Sequence, residues 1–151
     1  MTMSNRNHRL KNRKGCINSS KMTKTKVQLG ATGETLAVNY LKRLGYKIIE
    51  QNFRVRYGEI DIIAEQDGTL VFIEVKTRTG KRYGVPFESI TADKQSHLSK
   101  AALEYMSRNN CHDRLARFDV IGVQFDAGEP GNLSDARIEI IKNAFDLCYG
   151  T

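Results

Sequence analysis

The feature that most constrains this chain is Asp67-Gly68, set between two β-rich runs at Glu59–Glu65 and Leu70–Thr77. An Asp-Gly pair between such runs is a strong hairpin signal, because both turn positions tolerate positive φ. A two-residue turn there opposes positions whose numbers sum to 135, so Asp61 faces Glu74, Ile63 faces Phe72 and Glu59 faces Lys76. Any even-length loop centred on the same point keeps that pairing, whereas a three-residue loop breaks it. Directly opposed side chains have Cβ atoms about 4.5–5.5 Å apart, and like charges so placed destabilise a sheet. A divalent cation is the natural compensation, since Mg²⁺ is commonly held by one or two carboxylates plus substrate phosphates.

Alternation along the strand extends the constellation. Lys76 lies two residues beyond Glu74 and so shares its face, while Val71, Ile73 and Val75 join Ile60 and Ile62 on an apolar face. Upstream, Ala37, Leu41 and Leu44 recur at helical spacing from Ala31 onward, with Gly45 as the stop. Glu34 is in register with that stripe, between Gly30 and Gly33, which leave room for close backbone approach. A second helical pattern at Lys94–Arg108 carries Lys94 and Gln95 in register with Leu98, Ala101, Ala102 and Tyr105. Both helices are therefore expected to aim polar groups at the sheet. Structural readings stand beside these: Lys76 as a cross-strand partner of Glu59, Glu34 as a first-turn acid, Lys94 snorkelling along its stem.

Further strands are predicted at Tyr46–Phe53, Phe118–Phe125 and Ala136–Ile141, and a loop with Gly80, Gly84 and Pro86 follows the hairpin. The order is α-β-β-β-α-β-β, an α/β domain built on a mixed sheet.

Charge divides the chain. Of 24 Lys and Arg, eight fall in residues 1–26 with no Asp or Glu, leaving 16 basic against 17 acidic groups in residues 27–151. The formal charge of +7 thus belongs to the first segment. Its Asn, Ser and Thr content with few large apolar residues reads as a disordered tail. That tail is a nucleic-acid-binding arm, an inert extension, or sequence upstream of a true start at Met22. Residues 27–151 form the domain. Within it, Lys76, Arg78, Lys81 and Arg82 cluster without an acid and are followed by Tyr83, and Lys42 to Arg56 hold five bases against Glu50. Basic loops beside paired carboxylates, with an aromatic for stacking, suit a phosphodiester substrate; a solvated charged loop is the plainer reading.

Other chemistries find no support. Cys16, Cys111 and Cys148 form no C-x-x-C pair, which argues against a disulfide or zinc framework. Neither a G-x-x-x-x-G-K-[ST] loop nor G-x-G-x-x-G occurs. No run is long and apolar enough for a membrane span, so a cytoplasmic protein is expected.

Several short motifs in order then become specific: G-x-x-G-E at Gly30–Glu34, N-F-R at Asn52–Arg54, G-E-I-D at Gly58–Asp61, F-I-E-V-K-T-R at Phe72–Arg78 and R-F-D-V at Arg117–Val120. Together, from about Gly30 to Phe145, they resemble the bacterial YraN family. That family is placed among the PD-(D/E)XK nucleases, near the archaeal Holliday-junction resolvases. The resemblance implies a restriction-endonuclease-like core, Asp61 and Glu74 as metal ligands, and Lys76 as the catalytic lysine. Glu34 matches the first-helix glutamate of many such sites, and Lys94 and Gln95 fall where a further polar active-site residue is often found. Ile60, where many members of the superfamily carry Pro, is a departure seen in the resolvase-like branch.

The function expected is Mg²⁺- or Mn²⁺-dependent hydrolysis of phosphodiesters in branched or structured DNA. The metal would be held by Asp61, Glu74, Glu34 and the Val75 carbonyl, and the DNA backbone gripped by Arg54, Arg78, Lys81 and Arg82, with Tyr83 for stacking. A two-fold junction as substrate favours a homodimer. The alternatives are a non-catalytic nucleic-acid-binding module with the same fold, and a structural partner protein whose ion pairs serve fold specificity.

Overall fold

A computed structural model describes residues 19–80, 90–126 and 136–147. The elements are α1 (Ser19–Arg43), β1 (Lys47–Val55), β2 (Gly58–Gln66), β3 (Thr69–Thr79), α2 (Ala92–Arg108), β4 (Ala116–Phe125) and β5 (Ala136–Phe145). The α/β class and the element order are those the sequence predicts. Five strands form one sheet in chain order, β1-β2-β3-β4-β5. All neighbours are antiparallel except β3 and β4, which run parallel. A parallel pair needs a crossover, and α2 provides it. The mixed sheet with a helix on either face is consistent with a restriction-endonuclease-like core.

Each face of the sheet buries its own apolar cluster. On one, Ala37, Val38 and Leu41 of α1 pack on Ile62, Ala64, Val71, Ile73, Ile121 and Val123. On the other, Leu98, Ala101, Ala102, Tyr105 and Met106 of α2 pack on Phe53, Ile60, Ile63, Leu70, Phe72 and Phe118. Tyr105 meets Phe53 and Phe72 edge-on, with centroids 5.2 and 5.8 Å apart. These contacts seat α2 on the sheet. Thr91 caps it, accepting a hydrogen bond from the Lys94 backbone N–H at 3.2 Å.

The hairpin register is the predicted one. Ile62↔Ile73, Ile63↔Phe72, Ala64↔Val71, Glu65↔Leu70 and Gln66↔Thr69 all obey it. Asp67 (φ +50°) and Gly68 (φ +79°) take the two left-handed positions of a type I′ turn.

Several expectations need correcting. α1 begins at Ser19, not Ala31, so helix continues into the last residues of the basic segment, while residues 1–18 lie outside the described residues. Leu44 follows the end of α1 and is exposed rather than part of its buried stripe. Ile60 leaves the α1 face and joins the α2-side core, whereas Ile62 stays on the α1 side. The period-two alternation is therefore broken at Asp61. Opposite it, the β1–β2 register passes from Gln51↔Ile62 to Phe53↔Ile60, and Asn52 between them has φ +54°. A left-handed Asn inside a strand is tolerated because its short amide can bond locally.

Candidate metal and phosphodiester site

Asp61 stands at this irregularity, where the β2–β3 ladder stops. The last paired residues are Ile62 and Ile73, so Asp61 and Glu74 do not complete the next rung. Instead the Asp61 carboxylate accepts the Val75 backbone N–H at 2.7 Å, taking the place of a strand partner. The predicted face-to-face pair is thus a splayed pair. Like-charge repulsion disfavours the regular rung, and the side chain satisfies a backbone donor that the splay would leave orphaned.

Glu74 is 5% exposed. Its Oε1 accepts ion-pair contacts from Lys76 Nζ at 3.0 Å and Lys94 Nζ at 3.2 Å. Its Oε2 is buried and makes no hydrogen bond. Strand alternation brings Lys76 to Glu74, and the first turn of α2 brings Lys94 across from the covering helix. Lys76 is therefore not paired with Glu59, which instead bonds Arg54 at 3.1 Å on an exposed edge.

Burial, and then the charge of Glu74, push the Asp61 carboxyl up to about 7, against the opposing pull of the Val75 N–H. Glu34 is also raised, first by partial burial and then by Glu59 and Glu74, while Asn52 and Arg54 act the other way. In the orientation that satisfies its hydrogen bonds, the Asn52 amide donates to Glu59 Oε1 at 2.8 Å and Glu34 Oε2 at 3.3 Å. Asn52 thus braces Glu34, a role the N-F-R motif did not reveal by spacing. The signal in the sequence is a lone Asn within a β-rich run.

Glu34 owes its position to Gly33. A methyl at Gly33 would stand 3.0 Å from Thr77 Cβ and 2.9 Å from its Cγ2, so only glycine lets α1 lie this close to β3. Gly30 has no such neighbour; a methyl there would meet open space. It lines instead a groove of about 590 Å³ with Val27, Ala31, Glu34, Asn52 and Arg54.

Gln95 is fixed by donating its amide to the Ile90 carbonyl at 3.2 Å. Arg78 continues β3 beyond Lys76 and is half-buried. Lys81, Arg82 and Tyr83 lie outside the described residues. Among the described residues no three His, Cys, Asp or Glu side chains close into a metal-sized cluster. Asp61 and Glu74 nevertheless fit a divalent cation. The orphaned Glu74 Oε2 and the two desolvated carboxylates beside it are what such an ion satisfies, and Mg²⁺ sites with few protein ligands are ordinary. None of the described helices is long and apolar enough to cross a membrane.

Comparison with known proteins points the same way as the motifs. The profile of "Uncharacterised protein family UPF0102" matches residues 33–123, a span from Gly33 within α1 to Val123 near the end of β4. A UPF0102 protein of Geobacter metallireducens is 50% identical over 121 residues, covering 80% of this chain and 94% of that protein. One from Syntrophus aciditrophicus is 44% identical over 124 residues, 82% of this chain and 93% of its own length. One from Geobacter sulfurreducens is 50% identical over 121 residues, 80% and 91% respectively. The matched segment contains Glu34, Asp61, Glu74, Lys76 and Lys94, and the chain belongs to the UPF0102 (YraN) family of the PD-(D/E)XK nuclease-like superfamily.

Proposed function

We propose that this protein is a divalent-metal-dependent nuclease that hydrolyses phosphodiesters in branched or structured DNA. The observation that carries the reading is Glu74: a buried carboxylate with two lysines on one oxygen and nothing on the other. Asp61 and Glu74 would hold a Mg²⁺ or Mn²⁺ ion, with the Val75 backbone alongside and Glu34 facing the same charge cluster. When bound, such an ion neutralises phosphate charge and lowers the pKa of an attacking water.

The chain's own groups supply the rest. Lys76 and Lys94 are held at Glu74 Oε1, within reach of a phosphate drawn to the site, where an ammonium stabilises charge developing on the transferred oxygens. Asp61, whose carboxyl is pushed up to about 7 first by burial, would have to give up its proton to hold a cation, so metal affinity would rise with pH. Arg54 at the groove mouth is exposed and suits backbone contact without sequence readout.

A second reading has its own support. Lys76 and Lys94 already neutralise Glu74 Oε1, and no three ligating side chains cluster among the described residues. On that reading the domain binds nucleic acid and does not cut it. Titration of Mn²⁺ in the presence of a short branched DNA separates the two, comparing the native chain with Asp61→Asn and Glu74→Gln. The nuclease reading expects metal binding in the native protein, its loss in both folded variants, and cleavage that follows the same pattern. Identical behaviour of all three proteins overturns it in favour of binding alone.

A further inference from the structure

The β1–β2 hairpin ends in a two-residue connection, Arg56-Tyr57, between Val55 and its partner Gly58. Tyr57 is one of few large apolar side chains left in solvent among the described residues, at 42% exposure. Its ring is attended by two cations: the Arg56 guanidinium lies 5.8 Å from the centroid and Lys100 Nζ 5.9 Å. Lys100 comes from α2, far along the chain. Gly58 packs beside His97, where an added methyl would stand 3.7 Å from the His97 Cβ. The hairpin tip therefore rests on α2, the helix whose first turn sends Lys94 to Glu74.

Core packing does not account for this arrangement. An exposed ring between exposed cations buries little, and cation–π contacts at such sites are worth only about 0.5–1 kcal/mol. Among the described residues neither Arg56 nor Lys100 forms a salt bridge, so both charges remain available to an anion. An aromatic face with flanking cations is instead what an unpaired nucleotide requires: the base stacks on the ring, and the cations meet its phosphates. A base inside a duplex has no free face to offer.

We propose that Tyr57, with Arg56 and Lys100, is a stacking site for an unpaired base of a nucleic acid. This deepens the reading of the Asp61–Glu74 site by giving its substrate a single-stranded or unstacked element, as at a junction or flap, reached along α2.

The test uses the full chain in a chelating buffer without divalent metal, so that failure of hydrolysis cannot be confused with failure of stacking. Single-stranded DNA and RNA oligonucleotides carrying 2-aminopurine, and a blunt duplex, are titrated against the native protein, Tyr57→Ala and Tyr57→Phe. Expected is binding of a single strand with quenched 2-aminopurine fluorescence, weakened about tenfold or more by Tyr57→Ala and retained by Tyr57→Phe. Duplex affinity should be unchanged by either substitution. Arg56→Ala and Lys100→Ala should each lower the salt dependence of single-strand binding by about one phosphate contact. Preference between the DNA and RNA strands identifies the sugar the site accepts. Equal single-strand affinity of native and Tyr57→Ala proteins, no quenching, or no single-strand binding at all overturns the proposal.

Discussion

Two carboxylates, Asp119 buried and Asp61 half-buried, stand at two breaks in the same sheet, and they are satisfied in opposite ways. Asp119 lies where the β4–β5 register shifts, and Asp61 where β2 parts from β3. Each accepts a strand N–H, from Asn143 at 2.9 Å and from Val75 at 2.7 Å. Beyond that they diverge. Asp119 also accepts the Tyr46 hydroxyl at 3.0 Å and both Nε and NH2 of Arg117, at 2.9 and 3.1 Å. Burial, with Asp119 second, pushes Tyr46 up to about 12, so its hydroxyl stays a donor at any working pH. Arg117 in turn bonds Gln66 at 2.7 Å, to which Lys142 also donates. Each of Asp119, Arg117 and Lys142 thus has its partner. At the other end Asp61 is pushed towards neutrality and Glu74 Oε2 is orphaned. The same fold thus builds a closed polar network for structure and leaves an open one beside a groove. Incomplete satisfaction, not burial of charge as such, separates the site from the scaffold.

The comparison breaks most readily at the carboxylates themselves. Asp119→Ala should cost about 3–5 kcal/mol, because it removes the acceptor of the Tyr46 hydroxyl and the Asn143 N–H and the charge partner of the half-buried Arg117. Glu74→Gln should cost less, about 1–2 kcal/mol without metal, since the amide oxygen still accepts from a lysine, both lysines are partly exposed, and an unpartnered NH2 replaces an unpartnered oxygen. Urea unfolding of both variants measures this, and similar costs would erase the distinction between scaffold and site.

Gly33→Ala sharpens the link from packing to site. The methyl gains about 1 kcal/mol of helix propensity but clashes with Thr77, so a net loss of about 1–3 kcal/mol is expected. Adding Thr77→Ala should recover part of that loss, and a double-mutant cycle would show the coupling. An additive result would mean that α1 is not seated by this contact.

The pH dependence has a definite sign. The Asp61 carboxyl is raised in the folded protein, so its contribution is fully present below the unfolded value near 4 and is lost as pH rises through about 7. Without metal, native protein should lose on the order of 1–3 kcal/mol relative to Asp61→Asn between about pH 4 and pH 8. Mg²⁺ at pH 8 should restore it. A flat difference between the two melting curves would show that Asp61 is not held near neutrality.

Arg54→Ala is the smallest effect. Its exposed pair with Glu59 should contribute no more than about 0.5 kcal/mol to stability. Its influence should appear instead as a shallower salt dependence of DNA affinity; equal slopes would remove Arg54 from the binding surface.

Local rules reached far into this structure. Asp67-Gly68 determined the turn, and with it the β2–β3 register through Ile62 and Ile73, because a two-residue I′ turn leaves the strands no other alignment. The helical stripes of Ala37 and Leu41, and of Leu98, Ala101 and Tyr105, did face the sheet. Alternation placed Lys76 with Glu74, and helical register brought Lys94 to the same carboxylate. Spacing could not show that alternation stops at Asp61. That break depends on Asn52 in a neighbouring strand and on the Val75 N–H, neither of which is a local property of β2.

What the sequence determined by itself, then, was the order of elements, the hairpin and the set of polar side chains aimed at one end of it, because periods and turns are short-range. Only the tertiary structure decided which carboxylates are satisfied. Asp119 draws its donors from the α1–β1 connection, β4 and β5, while Glu74 draws two lysines to one oxygen and leaves the other bare. Partners so far apart in the chain are set by how the layers pack, and no period in the sequence encodes that.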